Sequence, residues 1–260
     1  MTVTTNETES IRLDDIRVPN ASDFVMRAEA IFQELPPPES EHRKTGAEAA
    51  METFVRAEKD PYLHEFGLMI LMARPVSSLD ARTSKPEFMQ SPPERQRALK
   101  EQLCEFNHHV RSMIVASGEN IGAANLEEWL GRSSGNARWA RGIVGGVGGE
   151  IAFARTLIHD RSVQGIAYAD VDQDLKKMDV LVHLNRLDTR IGIDIKTRET
   201  DLQSFETFRP GQPVHINGER FLRAEIGIER EFMLDNFTMN PEAIAGQMGE
   251  LHDWLDTLRD

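Results

Sequence analysis

The period of the hydrophobic pattern changes once along this chain, near residue 136, and that change limits the fold more than any other feature. Before it, apolar residues recur at helical spacing. Phe24, Ala28, Ile31 and Phe32 follow Ser22-Asp23 in a pattern that runs to Leu35, and Leu99, Leu103, Phe106, Val110, Met113 and Ile114 keep the spacing between Pro93 and Ala116. After it come short β-rich runs: VQGIAYA, DVLVHL, RIGIDIKT, PVHIN and AEIGI. A helix ending near His159 precedes these runs, and a last helix is expected from Pro241 to about Leu258. An all-helical region followed by helix, strands and helix predicts an α+β fold. The boundaries read as a flexible polar tail at 1–19, a helical region at 20–135 and an α+β core at 136–260. The GRSSGN segment at 131–136 is the joint.

Within the helical region the run Pro36-Pro37-Pro38 must end the first helix, because proline lacks the amide donor. A second helix is expected over Ala47–Glu58, a short apolar one over Tyr62–Met72 and another over Leu126–Leu130. Arg74 to Arg95 holds four prolines among scattered polar residues, which predicts a linker or long surface loop.

Composition narrows the function classes. A single cysteine among 260 residues excludes an internal disulfide and a Cys-based zinc cluster, so a reducing cytoplasm is the expected compartment. The start is polar and acidic with no apolar segment of a secretory signal, and the longest apolar run, Leu68 to Ala73, is far too short to span a bilayer. No membrane partner is expected. The net charge of −13 disfavours a protein that coats nucleic acid non-specifically. Residues 136–200 nevertheless hold 10 basic against 9 acidic residues, so the acid lies mostly outside that segment.

Three pieces of the segment carry chemistry. In the strand Arg190–Thr197, alternation points Ile191, Ile193 and Ile195 to one face and Asp194 with Lys196 to the other. A carboxylate beside an ammonium can hold a divalent cation and orient a water; a solvated strand face is the plainer reading. Asp179 opens the strand DVLVHL, and NRLDTR after it has the polarity and length of a hairpin turn. Closing that hairpin would set Asp179 beside Asp194, although Asp179 could equally just end the preceding turn. Glu150 falls within the apolar arc of its helix, between Leu157 and Ile143. A buried glutamate calls for a metal, a cation or a hydrogen bond. Five glycines between Gly142 and Gly149 could delay the helix start to about Gly148, which would put Glu150 in a first turn, where the helix dipole favours acids anyway.

An acid on a helix, an aspartate opening a strand and an acid-x-lysine on the next strand resembles the PD-(D/E)xK nuclease superfamily. Glu150, Asp179, Asp194 and Lys196 match these positions, over roughly residues 138–200. Met178 stands where the family often has proline, and no glutamine-tyrosine motif of the exonuclease branch is present. The resemblance implies a restriction-endonuclease-like core of helix, mixed β-sheet and helix, and an Mg²⁺-dependent endonuclease or phosphodiesterase, with Mn²⁺ as an alternative ion. It implies that Asp179, Asp194 and the carbonyl of Ile195 ligate the metal. Glu150 would bind a second ion or position waters, and Lys196 would orient the attacking water and stabilise developing charge. DNA is the expected partner, and a homodimer stays open. The alternative is a nucleic-acid-binding or assembly module on the same fold without catalysis.

Other motifs fail on their own terms. The DVDQD run at 170–174 lacks the glycine and the final glutamate of a calcium loop and reads as a solvated turn. GIVGGVGGE lacks the Gly-Lys-Ser/Thr of a phosphate loop and reads as close backbone packing. His64-Glu65 lacks the second histidine of a zinc-protease helix, and His108-His109 lacks a third ligand nearby. Cys104 keeps the apolar spacing of a core residue. Arg95, Arg97, Lys100 and Arg111 read as a solvated basic face.

Overall fold

A strand register decides where this fold puts its charges. The computed structural model describes residues 21–34, 46–83, 85–118, 120–185, 187, 189–198 and 207–258. The expected tail at 1–19 and the Pro36–Pro38 break lie outside the described residues. Six helices come first: α1 (Ala21–Glu34), α2 (Gly46–Ala57), α3 (Pro61–Thr83), α4 (Pro86–Met89), α5 (Pro93–Ser117) and α6 (Ala123–Ser134). Beyond them lie α7 (Ala137–Leu157), β1 (Val163–Tyr168), α8 (Val171–Asp174), β2 (Val180–Leu184), β3 (Ile191–Arg198), β4 (Phe208–Ile216), β5 (Glu219–Glu229) and α9 (Ala245–Thr257). The α+β expectation holds, with a five-stranded mixed sheet behind a helical half. Among the described residues no helix is long and apolar enough to cross a membrane.

The loop expected at Arg74–Arg95 is a correction. α3 runs through Pro75 to Thr83, and α4 and the start of α5 occupy most of the remaining stretch. Proline removes one helical hydrogen bond, but Ala73, Val76 and Ser77 around it are buried, so packing keeps the chain helical across it. The joint at 131–136 is also shorter than expected. Gly131–Ser134 belong to α6, and Gly135 ends that helix at φ 68°, a conformation glycine adopts without strain. The Asn136 side chain then accepts the Trp139 N–H at 3.0 Å and caps α7.

α7 belongs to both halves. Trp139, Ala140, Val144, Val147 and Ile151 join a helical core that includes Phe24, Phe66, Phe106 and Trp129. Ala152, Phe153, Ala154 and Leu157 join a second core with Ile191, Ile193 and Ile195 of β3 and Leu251 and Leu255 of α9. The change of core therefore falls inside a helix. The five glycines do not delay α7, which is helical from Ala137. Gly149 instead lets it approach β3, since a Cβ there would sit 2.6 Å from Thr197 Cγ2, and Thr197 Oγ1 donates to the Gly145 carbonyl at 2.9 Å.

The sheet order is β1-β2-β3-β5-β4. β1, β2 and β3 pair antiparallel in succession, β3 and β5 pair parallel, and β4 closes antiparallel on β5. Opposite the α7–α9 face, Met178, Leu181 and Phe221 form a small separate cluster.

Candidate active site

The β2–β3 hairpin builds the site. Val180 pairs with Ile193, so Asp179, one residue before β2, stands across from Asp194. Two contacts fix it there: the Asp179 N–H donates to the Ile193 carbonyl at 2.8 Å, and the Ile195 N–H donates to Asp179 Oδ2 at 2.6 Å. Asp194 points to the sheet face away from the Ile191–Ile193–Ile195 core, and the Asp179 carboxylate is near enough for the charge of Asp194 to act on it. Gly192 lies on the same face under Met178, whose side chain leaves no room for a Cβ there.

Asp194 is 1% exposed, so it is no solvated strand residue. Lys196 is hydrogen-bonded to Asp194 Oδ1. Asp194 Oδ2 is buried and has no hydrogen-bond partner. The Lys196 side chain keeps 41% of its surface exposed, which marks the side on which the pair opens to solvent.

Glu150, on α7, lies near enough to Asp179 to feel its charge. Its carboxylate is largely buried, as its position in the apolar arc predicts, and Arg111 Nη1 lies 3.0 Å from its Oε2. Burial and then the charge of Asp179 hold Glu150 well above the usual carboxylate range, with Arg111 pulling the other way. Burial and then the charge of Asp194 push Asp179 up to about 7, against the Ile195 N–H and Lys196. Burial acts to lower the Lys196 ammonium, but the hydrogen bond to Asp194 and the charges of Asp194, Asp179 and Glu225 outweigh it and raise it. Acids and cations here shape one another's protonation, as in a working site or a buried ionic network.

Arg111 corrects the expectation of a solvated face. It is 7% exposed, donates to the Ala169 carbonyl at 3.0 Å as well as to Glu150, and stacks 4.7 Å from the Tyr168 ring centroid. The DVDQD turn is also more ordered than expected. Asp170 caps α8 through a reciprocal capping box with Gln173, and Asp174 lies 3.3 Å from His108 Nε2. Burial, then the charge and hydrogen bond of Asp174, push the Cys104 thiol up to about 12, which removes it as a nucleophile at neutral pH. The signal for Arg111 was indirect: a buried glutamate needs a cation, and nothing local in the sequence says which of the arginines supplies it.

The donor set suits a hard divalent cation. Asp179 and Asp194 offer two carboxylates, one with a buried oxygen lacking a partner. Among the described residues no three His, Cys, Asp or Glu side chains gather into a ready metal cage. Two carboxylates are what Mg²⁺ ordinarily takes from a protein, with water and substrate phosphate supplying the rest. No family model, no curated protein and no solved structure matches the chain in comparisons of its sequence and fold.

Proposed function

We propose that the chain is an Mg²⁺-dependent nuclease that hydrolyses phosphodiester bonds, with DNA as its substrate and Mn²⁺ as a usable substitute ion. The observation that carries the reading is the meeting of Asp179 and Asp194 across the hairpin, with Lys196 on Asp194 and Glu150 approaching from α7. A restriction-endonuclease-like core is part of the proposal. The antiparallel β1–β2–β3 run with β5 parallel to β3, and α7 packed on its apolar face, is in keeping with it.

Asp179, Asp194 and the carbonyl of Ile195 would hold the ion. When bound, it supplies charge stabilisation at the phosphoryl oxygens and a more acidic water. The residues do the rest. The Ile195 N–H fixes the orientation of Asp179. Lys196 is tethered by Asp194 yet partly open to solvent, so its ammonium can meet a phosphate oxygen and stabilise the negative charge that grows during attack. Glu150, anchored by Arg111 and within reach of the Asp179 charge, would order water or a second ion.

A second reading has its own support. Lys196 already pairs with Asp194 and Arg111 with Glu150, so two of the three carboxylates are matched inside the protein. That pattern suits a nucleic-acid-binding module without catalysis. One experiment separates the two: incubate the purified chain with single-stranded DNA, duplex DNA and RNA in Mg²⁺, in Mn²⁺ and in EDTA. Metal-dependent cleavage that is lost in Asp194→Asn supports the nuclease. Binding without cleavage under every condition supports the module.

A further inference from the structure

Arg111 links parts of the chain that meet only at the candidate site. It stands on α5 in the helical half. One Nη donates to Glu150 on α7 and the other to the carbonyl of Ala169, just past β1. The Ala169 N–H in turn donates to the carbonyl of Asp179 at 3.0 Å. The guanidinium is held from the side by the Tyr168 ring. Through one side chain, α5 is therefore tied both to the helix that carries Glu150 and to the backbone that carries Asp179.

We propose that Arg111 is a positioning residue that fixes the Glu150 carboxylate relative to Asp179, so that the helical half is a working part of the site. The inference rests on the nuclease reading of Asp179 and Asp194. Stability alone is a weak reason for the arrangement, because a buried ion pair is often no more stable than well-packed apolar residues of the same volume. The second arm, on the Ala169 carbonyl, satisfies a buried donor and at the same time ties the fork to the backbone beside Asp179. A planar fork can hold a carboxylate and a carbonyl at a set angle; the compact ammonium of lysine can keep the charge but not that geometry.

The test uses the full chain and four variants: Arg111→Lys, Arg111→Met, Glu150→Gln and the double Arg111→Met/Glu150→Gln. Three quantities are read: melting temperature, single-turnover cleavage at saturating Mg²⁺, and Mn²⁺ affinity by calorimetry. Arg111→Lys should melt within a few degrees of wild type yet cleave at least about tenfold more slowly, the lower end for loss of a residue that orients a ligand. In the Glu150→Gln background, adding Arg111→Met should slow cleavage by less than about threefold, since Arg111 then has nothing left to position. Full-rate cleavage by Arg111→Lys overturns the proposal, and so does an undiminished effect of Arg111→Met in the Glu150→Gln background. Failure of the parent reading looks different: the wild type does not cleave. Mn²⁺ binding then decides the positioning role. About tenfold weaker binding in Arg111→Lys sustains it, unchanged binding overturns it, and a wild type that neither cleaves nor binds Mn²⁺ overturns both.

Discussion

Asp179→Asn should stabilise the protein while removing its proposed activity. Burial, then the charge of Asp194, lift the Asp179 carboxyl from 3.8 to about 7. Below about pH 4 both folded and unfolded chains keep this proton, and nothing is lost. Between about pH 4 and 7 the unfolded chain releases it first, so stability falls as pH rises, and above about 7 the full cost is present. At about 1.4 kcal/mol for each tenfold, the cost is at most roughly 4 kcal/mol. Solvent reaching the partly buried side chain reduces it, so ~2–4 kcal/mol is the working range. Asparagine keeps an oxygen for the Ile195 N–H but carries no charge, and its presence also relieves Glu150. In EDTA near pH 8.5, at about 2–4 °C per kcal/mol for a chain of this size, the variant should melt ~4–16 °C above wild type. Near pH 5 the gap should shrink by more than half. Added Mg²⁺ should raise the melting temperature of the wild type and leave the variant unmoved, since only the first binds the ion. Thermal denaturation across this pH range, with and without the ion, reads all three. A variant no more stable than wild type at the alkaline end, or a gap that ignores pH, refutes the reasoning.

Asp194→Asn should abolish cleavage and leave nucleic-acid binding intact or stronger, measured by fluorescence anisotropy beside a cleavage gel, because a negative charge near the phosphate is removed. Lys196→Ala should cleave at least about a hundredfold more slowly at saturating Mg²⁺ and should also melt below wild type, because the buried Asp194 loses its cation; Lys196→Arg should restore stability better than cleavage. Gly149→Ala drives a methyl into Thr197, one residue past Lys196. It should destabilise by ~1–3 kcal/mol by denaturant titration, whereas Gly146→Ala, with open space around it, should be neutral or gain up to ~1 kcal/mol.

The strands and their face were legible because alternation is local. RIGIDIKT announces both its buried isoleucines and the side on which Asp194 and Lys196 must lie, whereas the six-residue polar link after DVLVHL left Asp179 free either to end the preceding turn or to stand across from Asp194, and the Val180–Ile193 pairing puts it across. Glu150 was legible for the same reason, being a charge on an apolar helical arc. What failed was what depends on packing between distant segments. Pro75 reads as a break until α3 is buried around it. The Gly142–Gly149 cluster reads equally as a delayed helix start, until Thr197 is seen against the Gly145 backbone. Arg111 shares a helix with exposed basic residues, and only the fold brings it to Glu150, 39 positions away. The joint at 131–136 marks a real change of pattern, but α7 carries both cores and the packing changes partway along it.

The charges at the site explain one another. Glu150, Asp179 and Asp194 are set against Arg111 and Lys196, three potential negative charges against two positive ones. An unmatched charge away from water is costly, and a group so placed keeps its proton instead. Asp194 has Lys196, while Arg111 only partly offsets the burial of Glu150, so Glu150 and Asp179 are both held above the usual carboxylate range, Asp179 up to about 7. Lys196 keeps its proton, because the hydrogen bond to Asp194 and the charges of Asp194, Asp179 and Glu225 outweigh its burial. In the nuclease reading a bound Mg²⁺ would supply the missing positive charge, held by Asp179 and by Asp194, whose buried Oδ2 has no other partner.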